Sequence, residues 1–154
     1  MAPLNPGPDG HIGRADEEGK PVTVQLINPE GHLAPRTYSQ VAVATGTRMV
    51  FIAGQEPEDT VTGALIGPGD LAAQARQVFT NLGVALAAAG ARPDQVAKIT
   101  IYVVDHRPEY LDVIEEARAG LFGDHKPPDV IVGVQTLSQP GFLIEVDAFA
   151  VTGG

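Results

Sequence analysis

Glu145 and Asp147 stand two residues apart in the run Ile144-Glu145-Val146-Asp147-Ala148. Side chains of a strand alternate between its faces, so both carboxylates project from one side and the apolar residues from the other. Two neighbouring carboxylates that lose solvent raise one another's pKa, which suits general acid–base work. The plainer alternatives are an exposed sheet edge or an ion pair across a subunit interface. Other residue types are less suggestive. His11, His32, His106 and His125 are scattered through loops with no pair at the spacing of a helix-face metal site, and we read them as surface residues. Ser39 and Ser138 have no evident His–acid relay. Glycines 63, 67 and 69 lack the Lys-Ser/Thr of a phosphate loop and are read as turn residues. With no cysteine, disulfides, thiolate nucleophiles and cysteine metal ligands are excluded. Neither a metal nor a cofactor is called for.

The elements that must position these carboxylates belong to one domain, since 154 residues suffice for a single core and not for two. Apolar residues make up 44% and charged residues 19%, as in ordinary folded domains. The formal net charge of −9 gives a field that repels phosphate backbones, so nucleic acid is not an expected partner. The first eight residues have neither the basic nor the apolar region of a signal peptide, and no apolar run reaches membrane-spanning length. A cytoplasmic protein without a membrane partner is the expectation.

Residues 1–20, rich in Pro, Gly, Asp and Glu, read as a mobile arm preceding a domain at 21–154. Val22, Val24 and Leu26 alternate with Thr23, Gln25 and Ile27, predicting a strand that stops at Asn28-Pro29-Glu30-Gly31. Val41 to Ala44 and Met49 to Ala53 flank Thr45-Gly46-Thr47-Arg48, which predicts a hairpin. After a loop from Glu56 to Gly69, Asp70 is placed to cap a helix from Leu71 to about Ala89 that Gly90 ends. A strand from Val96 to Val104, a helix from Pro108 to Phe122 with a stripe of Leu111, Ile114, Ala117, Arg118 and Leu121, and strands at Val130–Leu137 and Phe142–Val151 follow. The order β-β-β-α-β-α-β-β predicts an α+β fold, a mixed sheet with two helices on one face. Ile144, Val146, Ala148 and Ala150 should meet the helices. The mixed face of Leu143, Glu145, Asp147, Phe149 and Val151, with Ile99, Ile101 and Val103 assigned to a second apolar face, implies burial against a partner subunit.

Across residues 22 to 151 the chain resembles the RidA/YjgF family. The matching stretches are Pro35-Arg36-Thr37-Tyr38-Ser39-Gln40, Phe51-Ile52-Ala53-Gly54-Gln55-Glu56-Pro57, Thr62-Gly63, Gln74, Asn81-Leu82, Gly90, Lys98-Ile99-Thr100-Ile101-Tyr102, Pro127 and Ile144-Glu145-Val146-Asp147-Ala148. The resemblance implies a chorismate-mutase-like fold and a homotrimer whose sheets form a central barrel, with ligand clefts between subunits. Active members hydrolyse reactive enamines or imines, such as 2-aminoacrylate, to a keto acid and ammonia without a cofactor. Their arginine holds the substrate carboxylate, while a tyrosine and a glutamate position water or relay protons. Carried over, the tyrosine is Tyr38 and the glutamate Glu145, with Gly54 and Gln55 as substrate-binding positions. The arginine position is Asp129, and an asparagine of the second helix is replaced by Glu115. A cleft holding Asp129, Glu145 and Glu115 would oppose an anionic ligand by several kcal/mol. The expected function is hydrolysis, or related acid–base chemistry, of a small neutral or cationic imine, with Asp129 and Glu145 sharing proton transfer. A non-catalytic trimeric protein that binds or senses a small ligand is the alternative. Ribonuclease activity, reported for some relatives, is disfavoured by the acidic charge.

Overall fold

The structure, a computed structural model, describes residues 22–153. The expected arm at 1–20 lies outside the described residues. The elements run β1 (Thr23–Ile27), β2 (Val41–Thr45), β3 (Arg48–Gln55), α1 (Leu71–Ala88), β4 (Val96–Val104), α2 (Leu111–Phe122), β5 (Asp129–Val134) and β6 (Ile144–Thr152), with one 3-10 turn before β4 and another before α2. This is the predicted α+β order.

Four strands form a mixed sheet in the order β3-β6-β4-β5; β4 and β5 are parallel and the other pairs antiparallel. Apolar side chains of α1 (Val78, Phe79, Leu82, Leu86) and of α2 (Ile114, Ala117, Phe122) close over the sheet residues Ile101, Val103, Ile144, Val146 and Ala148 in a single core. Each large aliphatic or aromatic side chain buried there contributes roughly 1.5–3 kcal/mol. Helix α1 begins where Asp70 accepts from Ala73 N at 3.0 Å. It ends in a Schellman turn, in which Ala91 N donates to Leu86 O and Gly90 adopts φ +68°.

Two expectations need correction. The chain from Val41 to Ala53 is not a paired hairpin: β2 pairs with β1 in a separate two-stranded sheet, and β3 pairs with β6. Gly46 lies where the chain passes between the two sheets, and a Cβ there would come within 2.9 Å of Thr152 O. Close approach to β6, rather than a tight turn, explains that glycine. Second, Ile99, Ile101 and Val103 are not on a second face. They register with Ala148, Val146 and Ile144 on β6 and share the helix-covered side. The open side does carry apolar residues, among them Met49, Phe51 and Phe149, all exposed, with the two phenylalanine rings packed edge to face at 5.3 Å.

A polar residue inside the core ties the loops to this frame. Gln74 is fully buried on α1; its Nε2 donates to Gly67 O (3.1 Å) and Gly141 O (2.9 Å), and its Oε1 accepts from Leu143 N (2.8 Å). The last bond fixes the residue just before β6. Truncating Gln74 to alanine strands three backbone groups, so chemical denaturation should show a loss of about 3 kcal/mol or more. Arg76→Ala, on the exposed side of the same helix turn, should stay within about 0.5 kcal/mol of the parent.

Candidate active site

On the open side of the sheet, β4 and β6 place Tyr102 beside Glu145 and Thr100 beside Asp147. The β3–β6 register slips between Ile52 and Gln55, inserting one extra residue at Ala53–Gly54. This bulge brings the Gly54 backbone against Glu145. A Cβ at position 54 would overlap Glu145 Oε1 and sit 2.7 Å from its Cδ. Gly54 is therefore a matter of room for a carboxylate. Beyond the bulge, Asn81 of α1 donates from Nδ2 to Glu56 O and Glu58 O, both at 2.9 Å, and so pins the loop that carries Glu56. Ser138, from the β5–β6 loop, donates to Glu56 Oε1.

Glu145 thus stands in acidic company. Burial pushes its carboxyl above the usual range, and the charges of Glu56 and Asp147 add to the rise. The Tyr102 hydroxyl donates to Asp147 Oδ2 at 3.3 Å. That phenol is held above its ordinary pKa, first by Asp147 and then by burial, so it remains a donor. A cavity of roughly 380 Å³ beside the bulge is lined by Gly54, Gln55, Glu56, Glu58, Asn81 and Ala85. The Gln55 amide turns back to Ala53 O at 2.9 Å.

Asp129 is elsewhere. It registers with Ile99, on the helix-covered side, whereas Glu145 registers with Tyr102 on the open side. Arg118, buried on α2, donates from Nε to Glu115 Oε2 at 2.9 Å and from Nη1 to Asp129 Oδ2 at 3.3 Å. Burial raises the Asp129 pKa; the Arg118 charge opposes the rise and Glu115 reinforces it. Glu115 and Asp129 therefore do come together, but around Arg118 and not around Glu145. Within one chain Asp129 and Glu145 lie on opposite sides of the sheet. Tyr38 is half-buried in the irregular segment between β1 and β2, and among the described residues no hydrogen bond joins it to Glu145 or Asp129.

Sequence reasoning missed Glu56, Tyr102 and the Arg118 clamp. Arg118 left a visible signal, a cation within the apolar stripe of α2 that needed a buried partner. A groove of about 430 Å³ between α1 and α2, with Phe79, Ala117 and Leu121 among its lining, contains none of the predicted residues and lies on the helix side, away from Glu145. Among the described residues no three His, Asp or Glu side chains cluster as metal ligands, and no helix is long and apolar enough to cross a membrane.

The family model for endoribonuclease L-PSP matches residues 31–152. The chain belongs to the RidA/YjgF family. A RutC family protein of Pyrococcus horikoshii is 40% identical to this RidA-family chain over 113 residues, covering 73% of the chain and 85% of the relative. The 2-iminobutanoate/2-iminopropanoate deaminase of Bos taurus is 31% identical over 116 residues, covering 75% and 80% respectively. A Rid family protein of unknown function from Yersinia pestis superposes with a TM-score of 0.78 at 35% identity, over 84% of this chain and 98% of that one. RidA from a Psychrobacter species does so with a TM-score of 0.61 at 28% identity, again over 84% and 98%. The mixed sheet with two helices is the fold of these relatives.

Two stability measurements probe the electrostatics. Arg118→Met leaves Glu115 and Asp129 facing each other without their cation, and should cost about 3–5 kcal/mol by urea denaturation, nearer the lower figure because Glu115 is partly exposed. For Glu145 the folded pKa lies above the unfolded one, so its contribution favours folding at low pH and is lost as pH rises through the raised value. Glu145→Gln should therefore raise the melting temperature at neutral pH, with the gain fading as the solution is acidified.

Proposed function

We propose that this RidA-family protein hydrolyses a small, reactive imine or enamine of neutral or cationic charge, with Glu145 as the acid–base residue. The observation that carries the reading is Glu145 itself: a carboxyl seated against the bare Gly54 backbone, pushed up in pKa by burial and by two neighbouring acids. A carboxyl raised in this direction keeps its proton more readily than a free one and can give it to an imine nitrogen. Water then adds to the C=N carbon, and the Glu145 carboxylate takes up the proton that water releases. That proton then returns to the nitrogen, and as the C–N bond breaks and ammonia leaves, the carbinol O–H gives its proton to the Glu145 carboxylate and the carbonyl forms. Imine and water are consumed, keto product and ammonia are released, and the carboxyl is restored.

Charge selects the substrate. Asp147 and Glu145 share the open face and Glu56 acts on Glu145, while Arg118, the buried guanidinium among the described residues, lies on the opposite side of the sheet and already faces two carboxylates. Lys98 is the cation that β4 brings to this face, in register with Phe149 rather than with Glu145, so the acids outnumber it there. Asp129, which the resemblance sets at the position of the family's arginine, supplies no cation in its place.

Homotrimer formation is part of the proposal. It would cover Met49, Phe51 and Phe149. It would also let Asp129 and Tyr38 of one copy approach Glu145 of the next, which a single chain does not achieve. A second reading, a non-catalytic binding protein, draws support from the engagement of Asp129 with Arg118.

The test is ammonia and keto-product release from imines generated in situ by amino-acid oxidases acting on neutral, acidic and basic amino acids. Neutral and basic substrates should be accelerated over acidic ones. Glu145→Gln should lower kcat by about 10²–10⁴-fold. Gly54→Ala should keep the fold, since the clash is with the end of a flexible side chain, yet lose most activity. Preferred turnover of 2-aminoacrylate would sink the charge argument, and no acceleration of any imine would favour the binding protein.

A further inference from the structure

We propose that the groove between α1 and α2 is a binding site for a free amino acid with a large apolar side chain, taken in its zwitterionic form. The groove lies on the helix side of the sheet and holds about 430 Å³, within the range of small-molecule sites. Phe79 and Ala117, both buried, give it an apolar floor. Arg76 lines it from α1 and Glu116 from α2, so its two walls carry opposite charges. Both of these residues are exposed, and among the described residues neither side chain makes an ion pair. A guanidinium and a carboxylate that border one apolar trough without meeting match a ligand with both charges at one end and an apolar body at the other. An α-amino acid has that form. Its carboxylate suits Arg76, its ammonium suits Glu116, and its side chain displaces water from Phe79 and Ala117. A zwitterion also brings no net charge to a protein of formal charge −9, whose field a plain anion would have to overcome.

Gly120 points to the same place independently. Glycine within a helix is destabilising relative to alanine. At position 120 of α2 the backbone is not left-handed, and an added Cβ would meet no atom within 4 Å. Neither conformation nor crowding inside the chain therefore calls for glycine there. Gly83 on α1 is different, because a Cβ there would stand 3.1 Å from Leu121 Cδ1. The two helices press together at Gly83 and leave room over Gly120, which borders the groove. A larger residue at 120 would fill that room. Thr80, also in the lining, donates its hydroxyl hydrogen to Arg76 O at 2.8 Å, which leaves the oxygen's lone pairs free to accept from a ligand ammonium. The site stands apart from Glu145, on the other side of the sheet, and does not depend on imine chemistry.

The test is titration of the full-length protein with L-phenylalanine, followed by backbone amide chemical shifts. Saturable shifts should centre on Thr80, Ala117 and Gly120. L-Alanine, with the same charged end and little apolar body, should give no saturable shift. Phenylacetate and phenethylamine each keep the ring and one charge, and each should bind roughly two- to fivefold more weakly than phenylalanine. Arg76→Gln should weaken phenylalanine and phenylacetate by a similar factor and leave phenethylamine unchanged, and Glu116→Gln should spare phenylacetate instead. Gly120→Leu, which fills the groove, should weaken phenylalanine by roughly tenfold or more while the melting temperature holds or rises. The two surface-charge variants decide the matter if Gly120→Leu does not fold. Absence of saturable binding overturns the proposal, as do shifts centred on Gly54 and Glu145. Phenylacetate bound as tightly as phenylalanine by the parent also overturns it, as does unchanged affinity in folded Gly120→Leu. A change of oligomeric state in Gly120→Leu, read by sedimentation equilibrium, assigns the groove to a second copy of the chain and overturns it too.

Discussion

Two side-chain amides on the core face of α1 hold the site in place. Gln74 grips the loop before the helix and the backbone entering β6, and Asn81 grips the loop leaving β3. A buried amide is stable only when its groups are satisfied: Gln74 finds all its partners in loop backbone, while Asn81 donates to loop carbonyls and accepts from the Gln77 side chain. The sheet supplies a rigid floor, but the sheet alone would not fix the approach of Gly54 to Glu145. That distance is set where two loops meet the helix, so a residue on one side of the sheet governs geometry on the other.

Much of the fold was legible because periodicity reports burial. The alternation in β6, the helical stripe of α1 and the capping residues Asp70 and Gly90 each had a local cause, and each element formed where its pattern placed it. What periodicity lacks is an absolute reference. Ile99, Ile101 and Val103 plainly share a face, but which face depends on their register with β6, a contact between distant segments. The same ambiguity hid Asp129, since moving a strand by one residue exchanges its sides. The turn-like Thr45-Gly46-Thr47-Arg48 misled for a related reason. A glycine required for a tight turn and one required for close packing look identical in sequence.

The carboxylate pair was legible from its spacing, and its chemistry was not. Glu56 lies far from Glu145 in sequence and reaches it only through the Asn81 anchor and the bulge, while Tyr102 depends on cross-strand register. The acids end up in two different electrostatic settings. Glu115 and Asp129 enclose a guanidinium, so their charge is largely met inside the protein. Glu145 has no such cation, and its burial is paid for by a preference for the proton. A single acidic count therefore conceals one structural cluster and one reactive one.

The position of β6 has a consequence for how the molecule is made. It is the last strand in sequence, yet it lies inside the sheet, with β3 on one side and β4 on the other. Until it emerges from the ribosome, β3 has no partner in that sheet, and the nascent helices cover an incomplete floor. The carboxylate-bearing strand is thus also the keystone of folding, added late and from a distance, a topology that favours slow closure and makes the growing chain dependent on protection from premature association. Function and completion of the fold arrive together on the same nine residues.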